Sequence, residues 1–190
     1  MVCILKPSEY YGLYLNGTIR ITDELVNKDG GLKFTLDVDG FPNYLQGNKI
    51  GIAVHENGDI SKGCQNIGGH YNPHKAKFHG SNMSSLKEKH LGDMGNMFVK
   101  DGKSTSVIYN RDMRLFGSFG ISGRSIRLGS YEDDEGKGDQ NSKIDGNLYE
   151  PWGCCQITTK DSASKCSSLP ASFVVMLLFG GILVVIVSVL

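Results

Sequence analysis

Residues 31–39 read GLKFTLDVD, and in this stretch Leu32, Phe34, Leu36 and Val38 alternate strictly with Lys33, Thr35, Asp37 and Asp39. A period of two puts one set on each face of an extended chain, so the segment is a β-strand with one buried and one wet face. The pattern recurs outward from it. YLNGTIRIT places Leu15, Gly17, Ile19 and Ile21 on one side, and RSIRLGS forms a further strand. NMFVKDGKSTSVIYN reads as two strands around a KDGK turn, where Asp101-Gly102 supplies the positive φ of a tight hairpin. Nothing before residue 171 carries a helical stripe. The body is therefore all-β, a sandwich or barrel of seven or eight short strands. Two long stretches break the rhythm: residues 56–95, rich in Gly, His, Asn and Lys, and residues 130–151, rich in Asp, Glu and Gly. Loops of that length in a small β-domain are functional or pinned.

The chain has 190 residues, with 20 Lys+Arg against 20 Asp+Glu. That allows one domain and a short appendage. Zero net charge with interspersed signs removes the case for a nucleic-acid partner, which needs clustered cations. The appendage is residues 171–190, free of charge and long enough as a helix to cross a hydrocarbon core of roughly 30 Å. It predicts membrane association. A tail anchor would leave the body cytosolic, whereas Asp161-Ser162-Ala163-Ser164 followed by KCSSLP and the apolar run fits a lipid-anchor signal on an extracellular protein. MVCILKPSEYYG has no basic start or cleavage site and reads as a first strand, so the side of the membrane stays open.

All five histidines, His55, His70, His74, His79 and His90, fall in or just before the first long loop. Neutral imidazole is the commonest protein ligand for zinc and copper. His70, His79, His90 and Asp93 offer three nitrogens and one oxygen, a closed set suited to structural zinc, against the plainer reading of solvated loop histidines. A fourth protein ligand argues against an open hydrolytic site.

GIAVHENGD, KGCQNIGGHYNP, KFHG, KHLGDMGN, GRSIRLGSYEDDEGKG and the late GCC, with VCILK and GTIRI near the start, resemble the copper/zinc superoxide dismutases over residues 1–158. The resemblance implies an eight-stranded Greek-key β-barrel with a zinc loop and an electrostatic loop. Residues 159–170 are then a polar spacer and 171–190 the membrane anchor or lipid-anchor signal. It implies zinc at His70, His79, His90 and Asp93, a disulfide between Cys64 and Cys154, and at Asp133 or Asp134 the aspartate that in the family hydrogen-bonds one zinc histidine and one copper histidine, here orienting His79.

The copper set implied by the family survives only in part. His55 and His70 match, but the other two ligands fall at Ala53 and Gly129, and the arginine that guides superoxide falls at Pro151 beside Glu150. His74 could replace a ligand only by turning toward copper. Two nitrogens hold neither copper oxidation state firmly, so copper is doubtful and efficient dismutation is not expected. The expected function is that of a membrane-attached, zinc-binding relative with little or no activity. The alternatives are a weakly active dismutase and a copper buffer or sensor at His55 and His70. A homodimer, or a heterodimer with a dismutase subunit, is the assembly the resemblance implies. Cys3 is expected as a free core thiol, Cys155 as facing away from Cys154, and Cys166, placed where palmitoylation can occur, as an unmodified thiol.

Overall fold

The computed structural model describes residues 1–5, 14–24, 30–45 and 49–159, and two strands in the tail. The polar spacer lies, beyond residue 159, outside the described residues. Residues 1–159 and 160–190 form separate compact units.

In the first unit the strands are β1 (Val2–Leu5), β2 (Asn16–Glu24), β3 (Gly31–Asp39), β4 (Lys49–His55), β5 (Asp93–Phe98), β6 (Lys103–Ser104), β7 (Val107–Asn110), β8 (Ser125–Leu128) and β9 (Gly153–Thr158). All pairings are antiparallel, in the order β5-β4-β8-β9-β1-β2-β3, and β6 and β7 together supply an eighth edge along β3. This is a nearly closed eight-strand barrel. The period-two reading of residues 31–39 holds: Leu32, Phe34, Leu36 and Val38 are buried, and each such side chain contributes roughly 1.5–3 kcal/mol relative to exposure. Phe34 sits opposite Ile21 on β2 and Ile108 on β7, so the barrel core is shared by distant segments.

The KDGK turn also forms, with Asp101 at φ 51° and Gly102 at φ 73° and Lys100 paired with Lys103. Its return strand then leaves β5 and pairs with β3, so one tight turn links the two barrel edges. Between β4 and β5 the register shifts, so that Ala53 faces Asp93 while Gly51 faces Asn96. Gly95, at φ 78°, takes the left-handed conformation such a bulge needs, and the bulge sets Asp93 beneath the first long loop.

Cys64 and Cys154 are bonded as expected, but Cys3 is not the free thiol expected. Cys3 is bonded to Cys155 at a Cα separation of 5.4 Å, and neither side chain is exposed. β1 runs beside β9 with Cys3 opposite Ile157, so Cys155 lies diagonally two residues away and within bridging reach. Cys154, on the other face of β9, is bonded to Cys64 of the long loop.

In the second unit Val174–Phe179 and Ile182–Val187 pair antiparallel over six positions. Among the described residues no helix is long and apolar enough to cross a membrane. The hairpin differs from the helical span considered above, and the sequence supplies a reason. Val and Ile dominate the second strand, and Gly180-Gly181 separates the two, which favours a hairpin over a helix.

Candidate metal centre

The long loop, residues 56–92, doubles back over the outer face of β4. His70 is bridged to His55, Tyr71 exchanges backbone hydrogen bonds with Val54 and Gly92, and buried Lys89 pairs with Asp112 at 3.1 Å. This pinning brings His70, His79, His90 and Asp93 together, all buried, with one ligand atom from each lying within 4.8 Å of the others. Asp93 Oδ1 is the hub. The Nδ1 atoms of His70, His79 and His90 stand 2.8, 2.8 and 3.4 Å from it. Its other oxygen, Oδ2, accepts the backbone N–H groups of Gly80 at 3.0 Å and His90 at 2.8 Å, which fixes the carboxylate.

The second long loop sets the ring of His79. Its Nε2 donates to Asp133 Oδ1 at 2.8 Å, leaving Nδ1 with a lone pair toward the cluster. Asp133 is gripped by Asn96, whose amide nitrogen donates to the Asp133 carbonyl at 2.8 Å while its oxygen accepts the Asp133 N–H at 2.7 Å. Gly146, at φ 69°, makes the approach possible, since a β-carbon there would lie 2.2 Å from Asp133 Oδ1 and 2.4 Å from His79 Nε2. Asp134, the other carboxylate considered for this role, instead accepts from Ser142 and Asn147.

The donor set fits zinc. Nδ1 of His79 and of His90 are buried without an aligned hydrogen bond although Asp93 Oδ1 is close, so lone pairs face one another unless a cation lies between them. Three imidazole nitrogens and one carboxylate oxygen are the neutral-to-hard set a closed zinc site uses. In the metal-free chain a proton takes the cation's place. Burial opposes charge on His79, but its contacts with the carboxylates of Asp133 and Asp93 outweigh it and push the ring up to about 10. Burial likewise works against ionised Asp93, yet the surrounding histidines hold it far below the usual carboxylate range. Burial dominates at His70 and pushes it down.

Copper fits poorly. The rings of His55 and His70 stand edge to face with centroids 4.9 Å apart, and both Nε2 atoms are buried without partners. His55 Nδ1 is 2.9 Å from the Gly68 carbonyl, and burial, His70 and the more distant Arg127 contribute to pushing the ring down to about 3. Those are two donors. Ala53 and Gly129 add none, and His74 is exposed and packs against Phe119, with centroids 4.8 Å apart. Asp133 Oδ2, the oxygen free to serve a histidine on the copper side, is buried without a hydrogen-bond partner.

A nearly closed antiparallel barrel carrying a three-histidine, one-aspartate cluster under a disulfide-tied loop defines a class of metal-binding β-proteins. Within it, the chain belongs to the copper/zinc superoxide dismutase family, whose model matches residues 15–157. It is 41% identical over 135 residues to Cu-Zn superoxide dismutase 5 of Dictyostelium discoideum, covering 70% of this chain and 87% of that one. It is 33% identical over 132 residues to the extracellular Cu-Zn superoxide dismutase of Rattus norvegicus, covering 69% of this chain and 50% of the relative. The chain thus spans about half the length of that extracellular relative. Among solved structures, the clock protein EA4 superposes with a TM-score of 0.68 at 29% identity, over 82% of this chain and 91% of that one.

Proposed function

We propose that this chain is a zinc-stabilised, membrane-attached member of the dismutase family with little or no dismutase activity, residues 171–190 serving as the signal for its attachment. The observation that carries it is the contrast at Asp133: Oδ1 orients a zinc-side histidine at 2.8 Å, while Oδ2 is buried without a hydrogen-bond partner in a chain that has Ala53 and Gly129 at two of the family's copper-ligand positions. Dismutation needs a cation that cycles between two oxidation states, and His55 and His70 alone do not retain one against competing chelators. Pro151, where the family carries its guiding arginine, brings no charge to orient an anion. Two disulfides in the barrel and the extracellular relatives favour the extracellular side and a lipid anchor over a cytosolic tail anchor.

Metal analysis of the purified full chain, paired with a superoxide assay, tests this reading. One zinc, negligible copper and no turnover are expected. One copper per chain with turnover would overturn it, and release of the protein from cells by a phospholipase that cleaves lipid anchors tests the attachment.

A further inference from the structure

The outer face of the barrel beside His55 is built from Gly51 and Ala53 on β4 and from Arg127 and Gly129 on β8. Arg127 pairs directly across from Ala53, and the Gly129 N–H donates to the Gly51 carbonyl at 2.9 Å. Leu148, fully buried in the second long loop, lies across both glycines. A β-carbon at Gly129 would stand 2.6 Å from the Leu148 carbonyl oxygen and 3.0 Å from its Cβ and Cγ, and one at Gly51 would stand 2.9 Å from Leu148 Cγ. The first of these contacts is with backbone, so rotating the leucine does not relieve it. The loop itself would have to move. Arg127 directs Nη2 to the carbonyl of Tyr149, the next residue of the same loop, and so holds that loop and a permanent positive charge over this face.

We infer that Leu148 and Arg127 seal the second cation position, so that this chain is a one-metal barrel by packing and charge and not merely through two missing histidines. The seal is continuous with the loop that orients the zinc side. The Leu148 carbonyl accepts Ser130 N–H at 3.0 Å, and Gly146, two residues earlier, lies against Asp133 and His79. One loop therefore serves the retained site and closes the other. It follows that returning the family's ligands would not by itself return copper, because an imidazole at position 129 meets the Leu148 backbone and any cation arriving there meets a guanidinium.

This inference rests on the one-metal reading above, and the experiment separates the two. Full-length chain is loaded with zinc, exposed to Cu(II), passed over a desalting column, and measured for both metals and for the Cu(II) paramagnetic signal. The native chain, A53H, A53H/G129H and A53H/R127V/L148A are compared, with zinc content as the check that each variant is folded. The last variant leaves Gly129 in place and avoids the backbone overlap. It supplies three imidazoles, His55, His70 and the one introduced at position 53, to an opened pocket. It should retain copper about tenfold more tightly than A53H, with nitrogen hyperfine structure in its signal. Full copper uptake by A53H or A53H/G129H with Leu148 and Arg127 intact would overturn the seal. So would a zinc-loaded A53H/R127V/L148A that gains no copper over A53H. Copper held by the native chain would end the one-metal reading itself.

Discussion

Replacing Asp93 with Ala should destabilise the barrel in two separable ways. Without metal, Asp93 Oδ2 is the acceptor for the Gly80 and His90 N–H groups, both buried, and each unpaired donor costs roughly 1–3 kcal/mol, giving about 2–6 kcal/mol together. With metal, Oδ1 is the hub of the cluster. Zinc at a thousandfold excess over its dissociation constant stabilises the native chain by about 4 kcal/mol, which for a domain of this size raises the melting temperature by roughly 8–16 °C. Calorimetry of native and Asp93→Ala protein, each in chelator and in excess zinc, reads both effects. The variant should melt below the native chain in chelator and lose most of the zinc-induced rise. An undiminished zinc-induced rise in Asp93→Ala would refute the assignment of Asp93 as a ligand, and equal melting in chelator would refute its role in holding the loop.

Lys89→Met removes the buried partner of Asp112 and should cost about 3 kcal/mol, the lower end for a broken buried pair because Asp112 is partly exposed; urea titration checks it, and K89M/D112L should recover part of the loss. In the metal-free chain stability should fall as pH drops from 6.5 toward about 3, since the folded state holds His55 neutral, chiefly by burial, while the unfolded chain binds its proton. His55→Gln should flatten that decline in urea melts at pH 7, 5.5 and 4, and parallel curves for the two proteins would contradict it. Stability should also decline above pH 6.5 up to about 10, as His79, raised in the folded state, gives up its proton. Thiol titration of the denatured, unreduced chain, made with its carboxyl-terminal segment retained, should find one free cysteine, since four of the five are bonded, and peptide mapping should place it at Cys166; three free thiols would remove the Cys3–Cys155 bridge.

The zinc quartet could be read from the chain because its side chains are rare, chemically distinctive and confined to one loop, and the alternation from Leu32 to Val38 exposed the strands for a similar reason. Leu148 gave no such signal. An isolated apolar residue in a Gly- and Asp-rich loop has no periodicity, and only the folded loop lays it over Gly51 and Gly129. Asn96 sits three residues after Asp93 in the KHLGDMGN run, yet its grip on Asp133 depends on a loop from the far end of the sequence. Cys3 passed as a core thiol because its partner is set by strand register: β9 had to be known as the neighbour of β1, with Ile157 opposite Cys3. Interactions between residues close in sequence were visible directly, the distant Cys64–Cys154 and His79–Asp133 pairs came only through the family resemblance, and the Cys3–Cys155 bridge and the placement of Leu148, which barrel closure creates, were not visible.

The bridge between Cys3 and Cys155 clips the first strand of the barrel to the last, with a sequence separation of 152. Tension applied along the polypeptide from its two ends would therefore pass from one cysteine sulfur to the other, and the intervening barrel would carry none of it. In an optical trap the chain should show no barrel-sized lengthening until a reductant is added. A protein held by its carboxyl-terminal tail and tugged at its amino end would keep its zinc loop folded under such a pull.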